Sequence, residues 1–169
     1  MPLKNNEILI RQVRMEDLDS CSEIELSCFP PTEAASLENI KKRIEIFPQG
    51  FYLAEKNGKV IGMVNSGATN KDDISDEEFK KLVGHMENGK NIVIFSLAVL
   101  PEYQKMGISK KLMQYFAKKS AKLGKEKILL ICKSCMLDYY KKLDFTYIGK
   151  SISQHGGAEW NGMELLLVK

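Results

Sequence analysis

The sequence predicts a mixed α/β fold, one sheet with helices on both faces, and three observations carry the prediction. Asn57-Gly58 stands between two apolar-rich segments, the favoured pair for a two-residue type I′ hairpin turn, so the flanking strands are antiparallel neighbours. Ile92 to Leu100 and Ile128 to Cys132 are continuous apolar runs, the pattern of strands covered on both faces in the middle of a sheet. A long amphipathic segment joins those runs, and strand, helix and strand in that order make a right-handed parallel crossover.

Ile8 to Val13 alternates as a first strand, and Met15 to Leu26 reads as a helix entered through Glu16 and Asp17, whose charges suit a helix start. Phe29-Pro30-Pro31 breaks that helix. A second follows with Leu37, Ile40, Ile44 and Phe47 on one stripe, stopped by Pro48. The hairpin strands are Phe51 to Lys56 and Lys59 to Gly67. Ser75-Asp76-Glu77-Glu78 is a capping box, with Ile74 and Phe79 placed as a hydrophobic staple, and Phe79, Leu82, Val83 and Met86 continue as a helical stripe.

The main helix carries Ile108, Leu112, Phe116 and Leu123 on one face, with Met113 and Ala117 alongside, and ends at Lys118, Lys119, Lys122 and Gly124. Ser134 is set to cap a further helix bearing Met136, Leu137, Tyr140 and Leu143. Phe145 to Ile152 and Glu159 to Val168 supply two closing strands. No repeat, linker or low-complexity tract interrupts the order.

A length of 169 residues suits one domain spanning 1–169. With 44% hydrophobic and 28% charged residues the composition is that of a globular protein, and no apolar run approaches the roughly 20 residues that span a bilayer. Met1 to Glu7 lacks the apolar stretch of a signal peptide, so the expected compartment is the cytoplasm, with free thiols. The net charge of +3 comes without a basic block interleaved with aromatics, which argues against a nucleic-acid surface. Cys132-Lys133-Ser134-Cys135 is half a metal or redox motif. Its other half is not apparent, since Cys21 and Cys28 lie elsewhere and His85 and His155 are isolated, so no metal is expected.

The segment with most chemical content runs from Ser96 through Gln104-Lys105-Met106-Gly107-Ile108-Ser109 into the main helix. The first N–H groups of a helix lack intrahelical acceptors and carry partial positive charge, so a Gly-containing turn there is a candidate pyrophosphate site as well as an ordinary connection.

The order of elements and two motifs resemble the GNAT acetyltransferase superfamily. Gln104-Lys105-Met106-Gly107-Ile108-Ser109 matches its Q/R-x-x-G-x-G/A coenzyme motif, and Tyr140-Lys141-Lys142-Leu143-Asp144-Phe145 matches its Tyr followed by Gly-Phe. Within it, Cys28 to Ser36, the segment near Ser75 to Met86 and Leu97-Ala98-Val99 look like the arylalkylamine N-acetyltransferase branch. The implied fold is a three-layer sandwich, a predominantly antiparallel seven-stranded sheet with a central parallel pair and helices on both faces. Three departures stand out: Ser109 for the last Gly or Ala, Asp144 for the Gly before Phe145, and Val93 and Phe95 where vertebrate members carry two His on the central strand.

The resemblance implies that acetyl-CoA pairs with the strand at Leu97, Ala98 and Val99, that main-chain groups from Gln104 to Ser109 take the pyrophosphate, and that Lys105, Lys110 and Ser134 join the coenzyme set, with a solvated face as the alternative for the two lysines. It makes Tyr140 the group that protonates the leaving thiolate, with packing on its helix as the alternative and Tyr139 as a neighbour turned roughly 100° away. An alkylammonium must lose a proton, which at pH 7 costs about 4 kcal/mol. Glu33, in the Pro-containing loop, is the first candidate base, or else a residue that opens the second helix. Ser96 and His155 rank below it, His155 as a turn residue beside Gly156-Gly157. Phe29, Pro30, Pro31, Val93 and Phe95 would line an apolar acceptor pocket, with a place in the core as the alternative. The expected function is direct acetyl transfer to a small hydrophobic or aryl amine by a cytoplasmic monomer or homodimer. A peptide or lysine acetyltransferase and an inactive acyl-CoA-binding domain are the alternatives.

Overall fold

The computed structural model describes residues 7–167. The residues divide into two compact units, one running up to Asn65 and joined by Ser96–Phe116, the other made of Ser66–Phe95 and the residues from Ala117 onward.

The first unit opens with β1 (Leu9–Gln12), a single 3-10 turn at Met15–Asp17 and α1 (Leu18–Cys28). The turn forms because the Asp17 carboxylate accepts the Arg14 N–H at 2.8 Å and both ends of the Arg11 guanidinium at 2.8 and 2.9 Å. That grip holds its carboxyl below the usual range, the Arg11 hydrogen bonds first and the Arg14 amide with them, against burial, which raises it. α1 runs to Cys28, two residues past the expected end, and Phe29 leaves it at φ −123° because the residue before a proline avoids the helical region. α2 (Leu37–Ile46) is capped by Ser36 Oγ, which accepts the Asn39 N–H at 3.2 Å. Glu33 therefore does not open this helix; it sits in a turn where its own N–H donates to Pro30 O at 2.9 Å.

β2 (Tyr52–Lys56) and β3 (Lys59–Thr69) pair antiparallel with Lys56 opposite Lys59. Asn57 and Gly58 have φ of 51° and 79°, the two left-handed residues of the predicted I′ turn. β1 pairs antiparallel with β2. The end of β4 (Asn91–Val99) and the start of α3 (Ile108–Lys122) complete the unit. Ile24, Ile40, Phe47, Phe51, Leu112 and Phe116 are among its fully buried side chains.

The second unit holds the end of β3, the start of β4, β5 (Lys127–Cys132), α4 (Leu137–Lys142), β6 (Thr146–Ser151) and β7 (Trp160–Leu166). β4 and β5 are parallel from Asn91↔Lys127 to Val93↔Leu129, while β5 and β6 each lie antiparallel to β7. Strand order is β1-β2-β3-β4-β5-β7-β6, the predicted seven-stranded mixed sheet with one parallel pair. The expected final strand residue, Val168, and most of the Met1–Glu7 segment lie outside the described residues.

Several local expectations are corrected. The segment near Ser75 forms only a 3-10 turn, Glu77–Lys81, capped by Asp76 rather than Ser75. Leu82 turns left-handed at φ 65°, and the Met86 N–H donates to Ala68 O, so β3 captures the chain before a second turn can form. Val83 and Met86 are consequently exposed. Gly89 follows because a Cβ there would lie 2.6 Å from the Thr69 backbone. Leu123 is exposed, since α3 stops at Lys122 before Gly124 at φ 81°. Ser134 begins a 3-10 turn whose N-cap is Lys133, so it caps nothing.

Candidate functional site

In the first unit the chain leaves β4 through a 3-10 turn at Pro101–Tyr103. Lys105 and Gly107 then adopt φ of 62° and 78°. A Cβ on Gly107 would meet nothing within 4 Å, so its backbone angle and not crowding calls for glycine. Holding Lys105 left-handed costs about 1 kcal/mol, strain confined to this turn. Lys111 N–H donates to Gly107 O at 3.1 Å, the first rung of α3, and its first turn has no acidic side chain. Lys105, Met106 and Lys110 are exposed, while Ile108 buries its side chain and offers only main chain. An open turn with helix-start amides and two lysines suits a phosphate-bearing ligand.

The adjoining carbonyl of Val99 is already engaged. It accepts Gln104 Nε2 at 3.0 Å and the Cys28 thiol at 3.1 Å. Burial and the Glu25 charge push the Cys28 thiol up, so it stays a protonated donor. A ligand amide donating to Val99 O has to displace one of them, and the Gln104 N–H donates to Pro101 O at 3.3 Å. Ala98 is buried and Leu97 half-buried.

Beside this strand lies a buried polar cluster. Glu25 Oε1 accepts the Ser96 hydroxyl at 2.8 Å and its Oε2 accepts the Ala35 N–H at 2.9 Å. Arg43 Nη1 donates to Asn65 Oδ1 at 3.0 Å and to Ser96 Oγ at 3.5 Å. All four side chains are at most 3% exposed. Burial pulls the Arg43 guanidinium down to about 10, opposed by the charge of Glu25, so Arg43 stays a cation near neutrality. Of these residues sequence reasoning considered only Ser96. The signal for Glu25 was present, a carboxylate on the face of α1 that carries Cys21 and Ile24.

Among the expected acceptor residues, Phe29 is half-buried and Pro30 exposed, and Glu33 is half-buried in the same turn. In the second unit Val93 is 4% exposed and packs with Phe79 and Leu129, so it fills core rather than lining a pocket. Phe95 stays half-buried, edge-on to Phe79 with ring centres 5.3 Å apart.

Tyr140, also in the second unit, is buried between Tyr139 and Phe145, with ring centres 5.1 and 5.6 Å away. Burial first, then Tyr139 and Cys132, raises its hydroxyl well above the ordinary phenol range, so it keeps its proton at neutral pH. Asp144 stands at φ 72°, the left-handed angle that explains a Gly at this motif position and that Asp tolerates better than most residues. Ser134 Oγ accepts Asn161 Nδ2, which also donates to Cys132 O. His155 does begin a turn, His155–Gly157, but its side chain is engaged: its Nδ1 lies 2.8 Å from Glu77 Oε2, and its carbonyl accepts Trp160 Nε1. No described group of three or more His, Cys, Asp or Glu is arranged to hold a metal ion, and no described helix is long and apolar enough to cross a membrane.

Two curated relatives come from Bacillus subtilis (strain 168). The "Probable hydrolase YhcX" is 28% identical over 117 residues, 64% of this chain and 22% of that protein. The "Uncharacterized N-acetyltransferase YkwB" is 26% identical over 121 residues, 65% of this chain and 54% of that protein. The chain thus spans well under two thirds of either relative's length. Among solved structures, the loading GNATL domain of CurA from Lyngbya majuscula superposes with a TM-score of 0.87 at 18% identity, covering 96% of this chain and 98% of that one. The yncA protein of Salmonella typhimurium, a putative acetyltransferase solved with its cofactor acetyl-CoA, gives 0.69 at 18% identity, over 97% and 96%. At these identities the structures establish the fold alone. The family model described as "Acetyltransferase (GNAT) family" matches residues 18–145, most of the sequence, and the chain belongs to that family.

Proposed function

We propose that the chain, acting as one domain of residues 1–169 in the cytoplasm, transfers acetyl directly from acetyl-CoA to a small hydrophobic or aryl primary amine. The observation that carries this is the open turn at Gly107, with φ 78° and no neighbour within 4 Å of a would-be Cβ. In this reading the main chain of Gln104 to Ser109 holds the pyrophosphate, Lys105 and Lys110 add charge, and Leu97, Ala98 and Val99 run beside the pantetheine. The family resemblance is what assigns Ser134 to the coenzyme set and Phe29, Pro30 and Phe95 to the amine. The arylalkylamine-like stretch from Cys28 to Ser36 supports an apolar acceptor over a polycation.

Glu33 accepts a proton from the ammonium, the free amine attacks the thioester carbon, and the C–S bond breaks. Acetamide, coenzyme A thiol and one released proton balance the step. Because the Tyr140 hydroxyl is held above the ordinary phenol range, its contribution is a hydrogen bond to the developing thiolate, and full transfer of its proton would be uphill.

The test combines thermal protection by acetyl-CoA with release of free coenzyme A thiol across aryl amines, aliphatic amines and peptides. Protection together with turnover of the small apolar amines is the expected result, and Tyr140→Phe should lower kcat about a hundredfold while leaving protection intact. Turnover of peptides alone would replace the substrate class. Protection without turnover by any amine would make the chain a binder.

A further inference from the structure

We infer that Glu25 is the positioning residue that pins the acceptor loop, residues 29–35, to the coenzyme stretch of β4. This rests on the functional reading above. The loop leaves α1 at Cys28 and reaches α2 after Ala35, and both of its ends are tied to the same strand. At the first end the Cys28 thiol donates to Val99 O at 3.1 Å. At the second, the Ala35 N–H donates to Glu25 Oε2, whose Oε1 accepts the Ser96 hydroxyl on β4. Ser96 directly precedes the segment assigned to acetyl-CoA and Val99 is its last residue, so one tie falls just before that segment and the other on its end.

A carboxylate suits this place because each of its oxygens accepts independently, so one side chain joins an amide and a hydroxyl from different elements. The loop itself has turns from Glu33 N–H and Ala34 N–H to Pro30 O at 2.9 Å. These two turns fold the loop upon itself. Position comes from Glu25, which is 3% exposed and so shielded from competing water. Because the tied loop carries Phe29, Pro30 and Glu33, assigned above to the amine, the tie acts on amine binding and leaves the coenzyme turn alone.

The test uses the full chain with three variants. Glu25→Ala should raise the amine KM about tenfold or more, with acetyl-CoA affinity by calorimetry within about twofold of wild type. Glu25→Gln should recover most of the loss, since its carbonyl can still accept from Ala35 and its amide can donate to Ser96 Oγ. Ser96→Ala, which cuts one tie and disturbs folding least, should raise the amine KM about threefold. Hydrogen exchange at the Ala35 amide should accelerate in Glu25→Ala and stay slow in Glu25→Gln.

Glu25→Gln as damaging as Glu25→Ala would overturn the pin in favour of a role for the charge. Equal losses of amine and coenzyme affinity, or an unchanged KM in Ser96→Ala, would overturn it as well. A wild type that turns over no amine defeats the functional reading, whereas unchanged exchange at Ala35 in Glu25→Ala defeats the tie itself, so the two failures separate.

Discussion

The two halves of β4 differ in what holds them. From Ile92 to Phe95, beyond the Asn91 amide that donates to Lys71 O, the strand is fastened by apolar packing, Val93 against Leu129 and Phe79 and Phe95 against Phe79, in parallel register with β5. From Ser96 to Val99 it is fastened by polar groups: the Ser96 hydroxyl on Glu25, and the Val99 carbonyl taking a thiol and an amide. Apolar packing is nondirectional and tolerates any ligand state. Hydrogen bonds to a strand carbonyl are exchangeable, which is what a strand needs where another molecule is to pair with it. One strand can thereby be scaffold along one half and binding surface along the other.

Three substitutions probe that division. Leu129→Ala removes a fully buried side chain from the apolar cluster and should lower stability by about 3 kcal/mol in urea unfolding, with acetyl-CoA affinity unchanged. A tenfold loss of affinity in the folded variant would show the halves to be coupled. Gly107→Glu puts bulk and negative charge where phosphate would lie, and calorimetry should show affinity falling about a hundredfold, roughly 2.7 kcal/mol. Wild-type affinity in this variant would remove the pyrophosphate from the turn. Gln104→Ala has the smallest expected effect: the Val99 carbonyl keeps its Cys28 donor, so stability should fall by less than about 1 kcal/mol and coenzyme affinity should change less than about threefold. A larger loss would assign the Gln104 side chain, and not only its main chain, to the ligand.

What the sequence made legible was whatever depends on neighbours along the chain. The Asn57-Gly58 turn, the apolar runs of β4 and β5 and the break before Pro30 are local and came out as read. The capping pattern at Ser75 is equally local, yet it yields one turn, because Ala68 on β3 competes for the Met86 amide. Glu25 was overlooked for the same reason, since its Ser96 partner is 71 residues away. Val93 was assigned to a pocket from its place on the strand, but Phe79, from a separate turn, covers it. The Gly107 turn and Tyr140 motif were legible because their spacing is short, and the polar cluster was not because it is assembled from four elements.

The four thiols differ in reach. Cys21 and Cys132 are buried, Cys28 is partly covered, and Cys135 is exposed. Burial pushes Cys21 up to about 12 and Cys132 to about 11, so neither supplies thiolate at neutral pH. A sulfhydryl reagent counting released coenzyme A therefore also counts Cys135, as a burst of one equivalent per chain that precedes turnover. Exposed in air, the same sulfur is the one placed to join two chains covalently. A reducible dimer would report that chemistry rather than a native assembly, and Cys135→Ser removes both the burst and the dimer without touching either half of β4.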